Sequence, residues 1–334
     1  MPIKIGIRLW SEVGSGIDQV HYAMLAEKYG LDYCWVVNDL TKRSALAVLP
    51  AIAANTSKIT IGPCILNPYS LHPAEIASYI ATLDEISNGR AVLGIGAGAV
   101  KILEWAGVRV SKPLTRTKEA IEAVRRLLSG LEAFRGTEIQ WSNEIQLRFT
   151  PRRRQIPIYL GCAGDKMLKL AGQIADGALP ILFPPEHAAH AIPTILEAAE
   201  KCGRRDQIEI AGCIWFSISE ETEVAEKALR SLIAYYAPHI PLTALSKIGV
   251  TPAELSAIEM AFRERGLDAA MEAIPRKMFK IAIYGTPEQC LEQIAVLAKR
   301  GITQINIGPP LGPDVKEALR LIGTKLAPAI RELQ

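Results

Sequence analysis

The sequence has no apolar run of the roughly 18 to 20 residues that a membrane-spanning helix needs. Its first residues lack the basic, apolar and small-residue order of a signal peptide. The six cysteines are far apart and form no C-x-x-C pair, which excludes a disulfide framework and a zinc-finger spacing. We therefore expect a cytoplasmic protein with reduced thiols and no contact with a membrane.

An excess of charge of one sign is also missing. The chain has 38 Lys and Arg against 35 Asp and Glu, a net charge of +3, and the basic residues are scattered. This balance gives no electrostatic reason to expect nucleic acid as a partner. With 49% hydrophobic and 22% charged residues, the chain can bury a large core, which excludes intrinsic disorder. We expect one domain over residues 1–334 that binds small molecules.

What the sequence does have is a regular alternation of strand-like and helical segments. Strands are predicted at residues 3–9, 32–37, 58–65, 90–97, 156–161, 177–182, 208–217 and 303–308, with a small hairpin over 137–150 and a helical insertion over 240–278. Eight strands separated by helices imply parallel pairing with right-handed crossovers. The fold class is therefore predicted as α/β, a (β/α)8 TIM barrel with an insertion after strand 7. An open doubly wound sheet is the alternative.

In such a barrel, chemistry gathers in the loops after the strands. The turn Gly161–Lys166 lies between a predicted strand and helix, so it is either a phosphate cradle made of backbone N–H groups or a simple turn. The run Leu93–Gly98 resembles a dinucleotide fingerprint, but no helix opens directly behind it. A better interpretation is that its small residues allow close packing or the approach of a flat ligand.

Other patterns argue against metal chemistry and against common hydrolase sites. His187 and His190 are three residues apart, but the neighbouring Glu186 does not complete a set of metal ligands. We predict no metal site. Arg152–Arg154 are predicted as a solvated basic turn or as a contact for an anionic cofactor tail. The sequence shows no nucleophile elbow and no Walker loop.

Several stretches together resemble the bacterial-luciferase-like superfamily, specifically its deazaflavin-dependent branch, and within that branch the methylenetetrahydromethanopterin reductases. The similar stretches cover nearly the whole chain and include Ile61–Tyr69, Ile80–Gly96, Lys112–Ile121, Pro157–Gly177 and Tyr284–Glu288. The resemblance implies a TIM barrel, coenzyme F420 in a cleft at the strand ends, and a homodimer or homotetramer. It also implies a non-prolyl cis peptide at Cys64-Ile65 that backs the cofactor ring, and a phosphate site at Gly161–Lys166.

Strand ends and resemblance together predict the site residues. The cofactor is expected to contact Asn38, Asp39, Pro63, Cys64, Ile65, Asn67, Gly96, Ala97, Gly98, Gly161, Cys162, Ala163, Gly164, Asp165 and Lys166. The predicted catalytic residues are Asp39, to orient the ring or handle a proton, and Arg8, to counter negative charge. The chain departs from the reductases in having Arg8 in place of an acidic residue, and Asn38-Asp39 in place of an Asp-His pair. Glu12 is a second carboxylate that could substitute.

The resemblance implies an oxidoreductase that transfers a hydride between coenzyme F420 and a small organic substrate, for which a methylenetetrahydromethanopterin-like compound is one candidate. One alternative is an FMN-dependent monooxygenase of the same superfamily, with FMN as the cofactor. An alternative of another class is a cofactor-binding barrel that has lost catalysis, because the residues at positions 8, 38 and 39 depart from the family pattern. The changed positions leave the identity of the substrate open.

Overall fold

The computed structural model describes residues 2–131, 133–182, 184–236, 240 and 242–333. Eight parallel strands form the centre of the molecule, and we number them β1 to β8 in chain order. They are β1 (Lys4–Leu9), β2 (Tyr33–Val36), β3 (Thr60–Pro63), β4 (Leu93–Ile95), β5 (Ile158–Cys162), β6 (Gly177–Pro180), β7 (Glu209–Ile218) and β8 (Gln304–Leu311).

The strands close into a barrel. Their order is β3-β2-β1-β8-β7-β6-β5-β4. Two bridges, Ile61 to Ala91 and Leu66 to Ile95, join β3 to β4 at the two ends of this order. The predicted TIM barrel is thereby confirmed, and the open doubly wound sheet is wrong because β3 and β4 meet.

The helices cover the outside of the barrel, as right-handed crossovers require. They are Gly16–Lys28, Ala45–Asn55, Pro73–Ile86, Val100–Trp105, Pro113–Leu128, Asp165–Ile174, Ala188–Glu200, Thr222–Tyr236, Leu242–Leu245, Pro252–Arg265, Leu267–Glu272, Pro287–Ala298, Val315–Leu321 and Ala327–Arg331. Ser15, Thr251 and Thr286 begin three of them with capping boxes, which satisfy backbone N–H groups that a helix start leaves free. No helix in the described part of the chain is long and apolar enough to cross a membrane.

Glycines allow β3 and β4 to approach each other closely. A Cβ atom at Gly62 would lie 2.3 Å from Val92 O, and one at Gly94 would lie 2.1 Å from Pro63 O. Any side chain at either position would therefore push the two strands apart. The run Leu93–Gly98 thus serves close strand packing, and the sequence interpretation that preferred packing over a dinucleotide fingerprint is confirmed.

A polar network fills the amino-terminal end of the barrel. The carboxylate of Glu209 accepts a hydrogen bond from Tyr159 Oη at 2.9 Å and from Gln304 Nε2 at 3.0 Å. Gln304 Oε1 in turn accepts from Trp35 Nε1 at 2.8 Å, and the hydroxyls of Tyr33 and Tyr159 are 3.3 Å apart. Because these groups satisfy one another, the interior can be polar here without a large desolvation penalty.

The basic turn at Arg152–Arg154 has a structural role that the sequence did not indicate. Arg153 Nε donates to both carboxylate oxygens of Asp84, at 3.1 and 3.0 Å, and Asp84 is fully buried at the end of the helix Pro73–Ile86. Asp84 Oδ1 also accepts from the backbone of Ala91 at 3.2 Å. The predicted solvated turn is therefore wrong for Arg153, which ties this helix to the strand that follows it.

The chain between β7 and β8 contains the predicted helical insertion. Within residues 240–278, of which residue 241 lies outside the described part, it forms the helices Leu242–Leu245, Pro252–Arg265 and Leu267–Glu272. Their apolar side chains pack with Trp215 and the helix Thr222–Tyr236 in a hydrophobic cluster separate from the barrel core. The insertion thus brings its own core to the carboxyl end of the barrel.

Two strand segments differ from the sequence prediction. A short strand, Ile283–Gly285, pairs with the end of β7 and was not predicted, because three residues carry too little alternation to be recognised. The predicted hairpin exists, but it consists of Phe134–Arg135 paired with Gln140–Trp141, and the rest of residues 142–150 forms no strand. Its Trp141 ring lies against Phe134, at a centroid distance of 5.6 Å.

Candidate active site

A cavity of about 540 Å³ opens at the carboxyl ends of the strands. This is the end of a TIM barrel where catalytic residues lie. The cavity is large enough for a drug-sized molecule or the ring system of a cofactor. Its wall consists of Arg8, Trp10, Val37, Asp39, Cys64, Ile65, Gly96, Ala97, Gly98, Ala99, Gly161, Cys162, Ala163, Gly164, Met167, Leu179, Ile181, Cys213, Trp215, Tyr236 and Ile240.

One wall is a bulge after β3. The peptide bond Cys64-Ile65 is cis, as the family resemblance implied. Ile65 then lies against two glycines on neighbouring strands: a Cβ at Gly161 would be 3.0 Å from Ile65 Cγ2, and one at Gly96 would be 3.5 Å from Ile65 Cδ1. The glycines therefore leave the space that Ile65 fills, and the bulge presents an apolar surface to the cavity.

The turn after β5 forms the rim of the same cavity. Gly161, Cys162, Ala163 and Gly164 line it, and the helix Asp165–Ile174 begins directly behind them. Gly164 is the N-cap of this helix and provides no side-chain cap, and a Cβ placed there would meet nothing within 4 Å. Uncapped N–H groups facing open space are the arrangement that binds phosphate at helix starts.

Asp39 brings a carboxylate to the cavity just after β2. Burial raises the pKa of Asp39, the nearby charge of Lys42 lowers it, and that of Glu12 raises it further. The net direction is upward, so this carboxyl keeps its proton to a higher pH than an exposed aspartate does. A carboxyl group with a raised pKa beside a cavity is suited to proton transfer.

Glu12, the second candidate carboxylate, is engaged elsewhere. It forms an ion pair with Lys42 and accepts a hydrogen bond from Tyr236 Oη at 2.8 Å. The Tyr236 ring contacts those of Trp10 and Trp215 in tilted arrangements, with centroids 4.7 and 6.0 Å away. These three aromatic rings form the side of the cavity toward the insertion and reduce the access of water to it.

Arg8 lies at the base of the cavity and is 6% exposed. Its Nη2 donates to Ile214 O at 3.1 Å, and its buried Nη1 has no hydrogen-bond partner within the described ranges. Cys213 and Asn306 lie beside it, and Asn306 Nδ2 is 3.5 Å from Cys213 Sγ. The base of the cavity thus combines a buried positive charge with a thiol and an amide.

Five of the predicted site residues lie outside the cavity wall. Asn38 Oδ1 instead accepts from the backbone of Ala45 at 3.0 Å, where it caps a helix. Asn67 Oδ1 accepts from the backbones of Tyr69 and Ser70 and holds the turn after the bulge. The others are Pro63, buried within β3, and Asp165 and Lys166, whose side chains are exposed on the helix behind the rim.

The remaining predicted residues line the cavity together, and the structure adds others that the sequence interpretation missed. Cys213 is one of these. It escaped prediction because it lies in the middle of a strand, whereas the predicted site residues lie at strand ends. β7 is ten residues long and extends beyond its neighbours, so that Cys213 is level with Ile181, just after β6. The length of the predicted strand was the one signal that could have identified Cys213.

Each of the two histidines near the rim lies beside a charged side chain. His190 Nε2 is 2.8 Å from Asp165 Oδ1, and Lys247 Nζ is 3.2 Å from His187 Nδ1. Burial and the Lys247 charge lower the pKa of His187. In the parts of the chain that the structure describes, no group of three or more potential ligands surrounds a metal position. Beside Gly164, His187 and His190 are thus engaged with Lys247 and Asp165.

Comparison with known proteins identifies the family. The profile of the family described as luciferase-like monooxygenase matches residues 3–304. The chain belongs to the luciferase-like monooxygenase family. This family assignment confirms the resemblance inferred from the residues, and it is consistent with a cavity at the carboxyl end of a barrel.

The chain is also similar, over nearly its full length, to named proteins. It is 35% identical to the 5,10-methylenetetrahydromethanopterin reductase of Archaeoglobus fulgidus, over 93% of this chain and 95% of that protein. It is 26% identical to the F420-dependent glucose-6-phosphate dehydrogenase of Microbacterium testaceum, over 99% of this chain and 98% of that one. The structure of the coenzyme F420-dependent tetrahydromethanopterin reductase from Methanopyrus kandleri superposes with a TM-score of 0.91 at 30% identity, covering 98% and 99% of the two chains.

Proposed function

We propose that this chain is an oxidoreductase that transfers a hydride between coenzyme F420 and a small organic substrate. The observation that carries this proposal is the similarity over nearly the full length to F420-dependent enzymes, including a reductase structure with a TM-score of 0.91. The cavity at the strand ends agrees with it, since it joins an apolar wall to a helix start that can bind phosphate.

The residues of the cavity fit a deazaflavin. Its flat ring would lie on the apolar surface of Ile65, between the glycine positions 96 and 161, and its phosphate at the uncapped turn Ala163-Gly164. When it is bound, the deazaflavin supplies or accepts the hydride. The chain positions the ring and the substrate against each other and limits the access of water.

The polar residues of the cavity have separate roles in this proposal. Arg8, whose buried Nη1 has no hydrogen-bond partner among the residues that the structure describes, counters negative charge that develops at the base of the cavity. Asp39 holds or moves a proton at its carboxyl group, for which its raised pKa suits it. Trp10, Trp215 and Tyr236 shield the reacting atoms from solvent on the side of the insertion.

The substrate is the part of the proposal that rests on the relatives alone. Methylenetetrahydromethanopterin is the first compound to test, because the more similar relatives act on it by name. Arg8, Asn38 and Asp39 differ from the residues of the reductases at these positions. We therefore expect the proton to follow a different pathway from the one in the reductases. Location in the cytoplasm and assembly as a homodimer or homotetramer remain predictions of the sequence.

A binding titration tests the cofactor. Purified protein is titrated with F420 and, separately, with FMN, while the fluorescence of the cofactor is followed. Gly164→Asp adds a negative charge at the uncapped helix start and is expected to weaken F420 binding about tenfold or more. Thr251→Asp adds the same charge at the start of the remote helix Pro252–Arg265 and should leave binding unchanged.

The outcomes separate the three functional classes. Binding of F420 with little response to FMN, followed by turnover with a candidate substrate, supports the proposal. A preference for FMN would assign the chain to the monooxygenases of the family. F420 binding without hydride transfer to any candidate would favour a non-catalytic cofactor-binding barrel.

A further inference from the structure

The base of the cavity contains a positive charge without a carboxylate partner. Arg8 is 6% exposed, its Nη2 donates to a backbone carbonyl, and its Nη1 has no hydrogen-bond partner in the part of the chain that the structure describes. Gly308 makes this position possible, since a Cβ there would lie 2.2 Å from Arg8 Nη2. A buried guanidinium stays charged and is costly unless a negative group balances it.

Cys213 is the group placed to provide that balance. Asn306 Nδ2 donates a hydrogen bond to its sulfur at 3.5 Å, and Arg8 and Cys64 line the same cavity wall. Ala211 O is 3.9 Å away, too far to hold a proton on the sulfur strongly. The interaction with Cys64, with the Arg8 charge and the Asn306 amide, lowers the pKa of Cys213 against the effect of burial.

We propose that Cys213 is a nucleophilic thiolate and forms a covalent attachment site for small soft electrophiles that enter the cavity. Arg8 is its counter-ion and acts as a positioning residue. With a haloacetamide, the sulfur forms a C–S bond to the methylene carbon, the carbon–halogen bond breaks, and halide leaves with its electron pair. No oxidant or reductant takes part, and the site does not depend on the identity of the cofactor.

The other titratable groups near Cys213 agree with one thiolate at this place. Burial and the neighbouring Cys213 raise the pKa of Cys162, and the hydrogen bond to Cys213 together with burial raises that of Cys64. The charge of Asp39 acts on Cys64 in the same upward direction. Cys162 and Cys64 therefore keep their protons, and Cys213 is the thiol that balances the Arg8 charge as a thiolate.

Iodoacetamide labelling of the native full-length chain tests this site. Each cysteine is quantified by peptide mass spectrometry over a pH series, and the exposed Cys202 serves as the internal reference for the reagent. Cys213 is expected to be modified in the folded protein, with a rate that rises through a midpoint below the value of about 8.5 at which a free thiol ionises. Cys34 and Cys290, buried thiols whose pKa burial raises, should remain unmodified until the protein unfolds.

Variants of Arg8 separate a charge effect from a change of access. Arg8→Met is expected to raise the pH midpoint of Cys213 labelling by about one unit. At pH values well below both midpoints the Cys213 rate, relative to Cys202, should then fall about tenfold, since a pKa one unit higher leaves about a tenth of the thiolate there. Arg8→Lys keeps the charge and should restore most of the rate. A wild-type Cys213 that stays unmodified while the protein is folded would overturn the proposal. An equal pH midpoint for Cys213 labelling in wild type and in a folded Arg8→Met would also overturn the proposal. If that variant does not fold, the pH profile of wild-type Cys213 still tests it.

Discussion

Ile65 and Gly161 are fitted to each other across the cavity wall. Ile65 belongs to the bulge after β3, and Gly161 lies near the end of β5, so the two come from different parts of the chain. A Cβ atom on Gly161 would lie 3.0 Å from Ile65 Cγ2, which is tighter than ordinary side-chain contact. The position of the Ile65 surface, on which the cofactor ring is proposed to lie, therefore depends on residue 161 being a glycine.

Replacing Gly161 with alanine tests this dependence. The added methyl group displaces Ile65 by a few tenths of an ångström, so we expect Gly161→Ala to weaken F420 binding several-fold with little change in melting temperature. Gly16→Ala is the matched control, since a Cβ there would meet only Val48 Cγ2 at 3.8 Å, an ordinary contact, and Gly16 is not part of the cavity wall. Equal affinities of the two variants in the fluorescence titration would contradict the role of Gly161.

Asp39 is expected to destabilise the fold when it is ionised. Burial raises its pKa, so the folded state binds the proton more tightly than the unfolded chain, and stability falls as the pH rises from 3.8 through the raised value. Asp39→Asn removes this cost. The variant should melt at a higher temperature than wild type at pH 8, and the difference should shrink as the pH is lowered toward 4.

The same substitution tests the proposed role of Asp39 in proton transfer. Asp39→Asn is expected to lower kcat about a hundredfold, the scale of general acid–base catalysis, and to remove one limb of the pH–rate profile. A variant that is more stable and less active would fit a carboxylate kept for chemistry at the expense of stability. Unchanged kcat with an unchanged profile would show that the proton moves by another route.

Tyr159 is expected to stabilise the amino-terminal end of the barrel without affecting the cavity at the carboxyl end. Tyr159→Phe removes the hydrogen bond of 2.9 Å to the Glu209 carboxylate, which Lys4 Nζ also contacts at 2.9 Å. The free energy of unfolding should fall by about 2 kcal/mol in urea denaturation, while F420 affinity stays the same. Tyr29→Phe, outside this network, is the control, and an equal loss in both variants would argue against the network.

Arg153 is expected to be the one member of its basic turn that the fold requires. Arg153→Met leaves the fully buried Asp84 without its guanidinium partner and should lower the free energy of unfolding by about 3 kcal/mol. Arg154 is exposed, so Arg154→Met should change stability by less than about 0.5 kcal/mol. Similar denaturation midpoints for the two variants would mean that Asp84 finds another partner.

The barrel could be predicted because its signal repeats eight times. Each strand is short and apolar and is followed by an amphipathic helix, so an error in one boundary does not change the count. Ile283–Gly285 has no such repetition, and its partner, the end of β7 at Phe216–Ile218, lies on the other side of the insertion in the chain. A segment of this kind becomes a strand through tertiary contacts rather than through its own pattern.

The site could be predicted only in part, for a related reason. Strand ends identify Arg8, Asp39 and the turn at Gly161, but they cannot tell whether a side chain points to the cavity or to its own backbone. Asn38 and Asn67 are the clearest cases, since both amides turn back to satisfy neighbouring N–H groups. Cys213 shows the opposite error, a residue in the middle of a strand that reaches the cavity because that strand is long.

Trp215 belongs to two parts of the molecule at once. It lines the cavity, and it is also a member of the hydrophobic cluster that the insertion forms. The bulge at Ile65 and the rim at Gly164, by contrast, belong to the barrel itself. The two ends of the cavity can therefore change independently: substitutions inside the insertion can reshape one end through Trp215, while the bulge and the rim, where the cofactor is proposed to lie, keep their form.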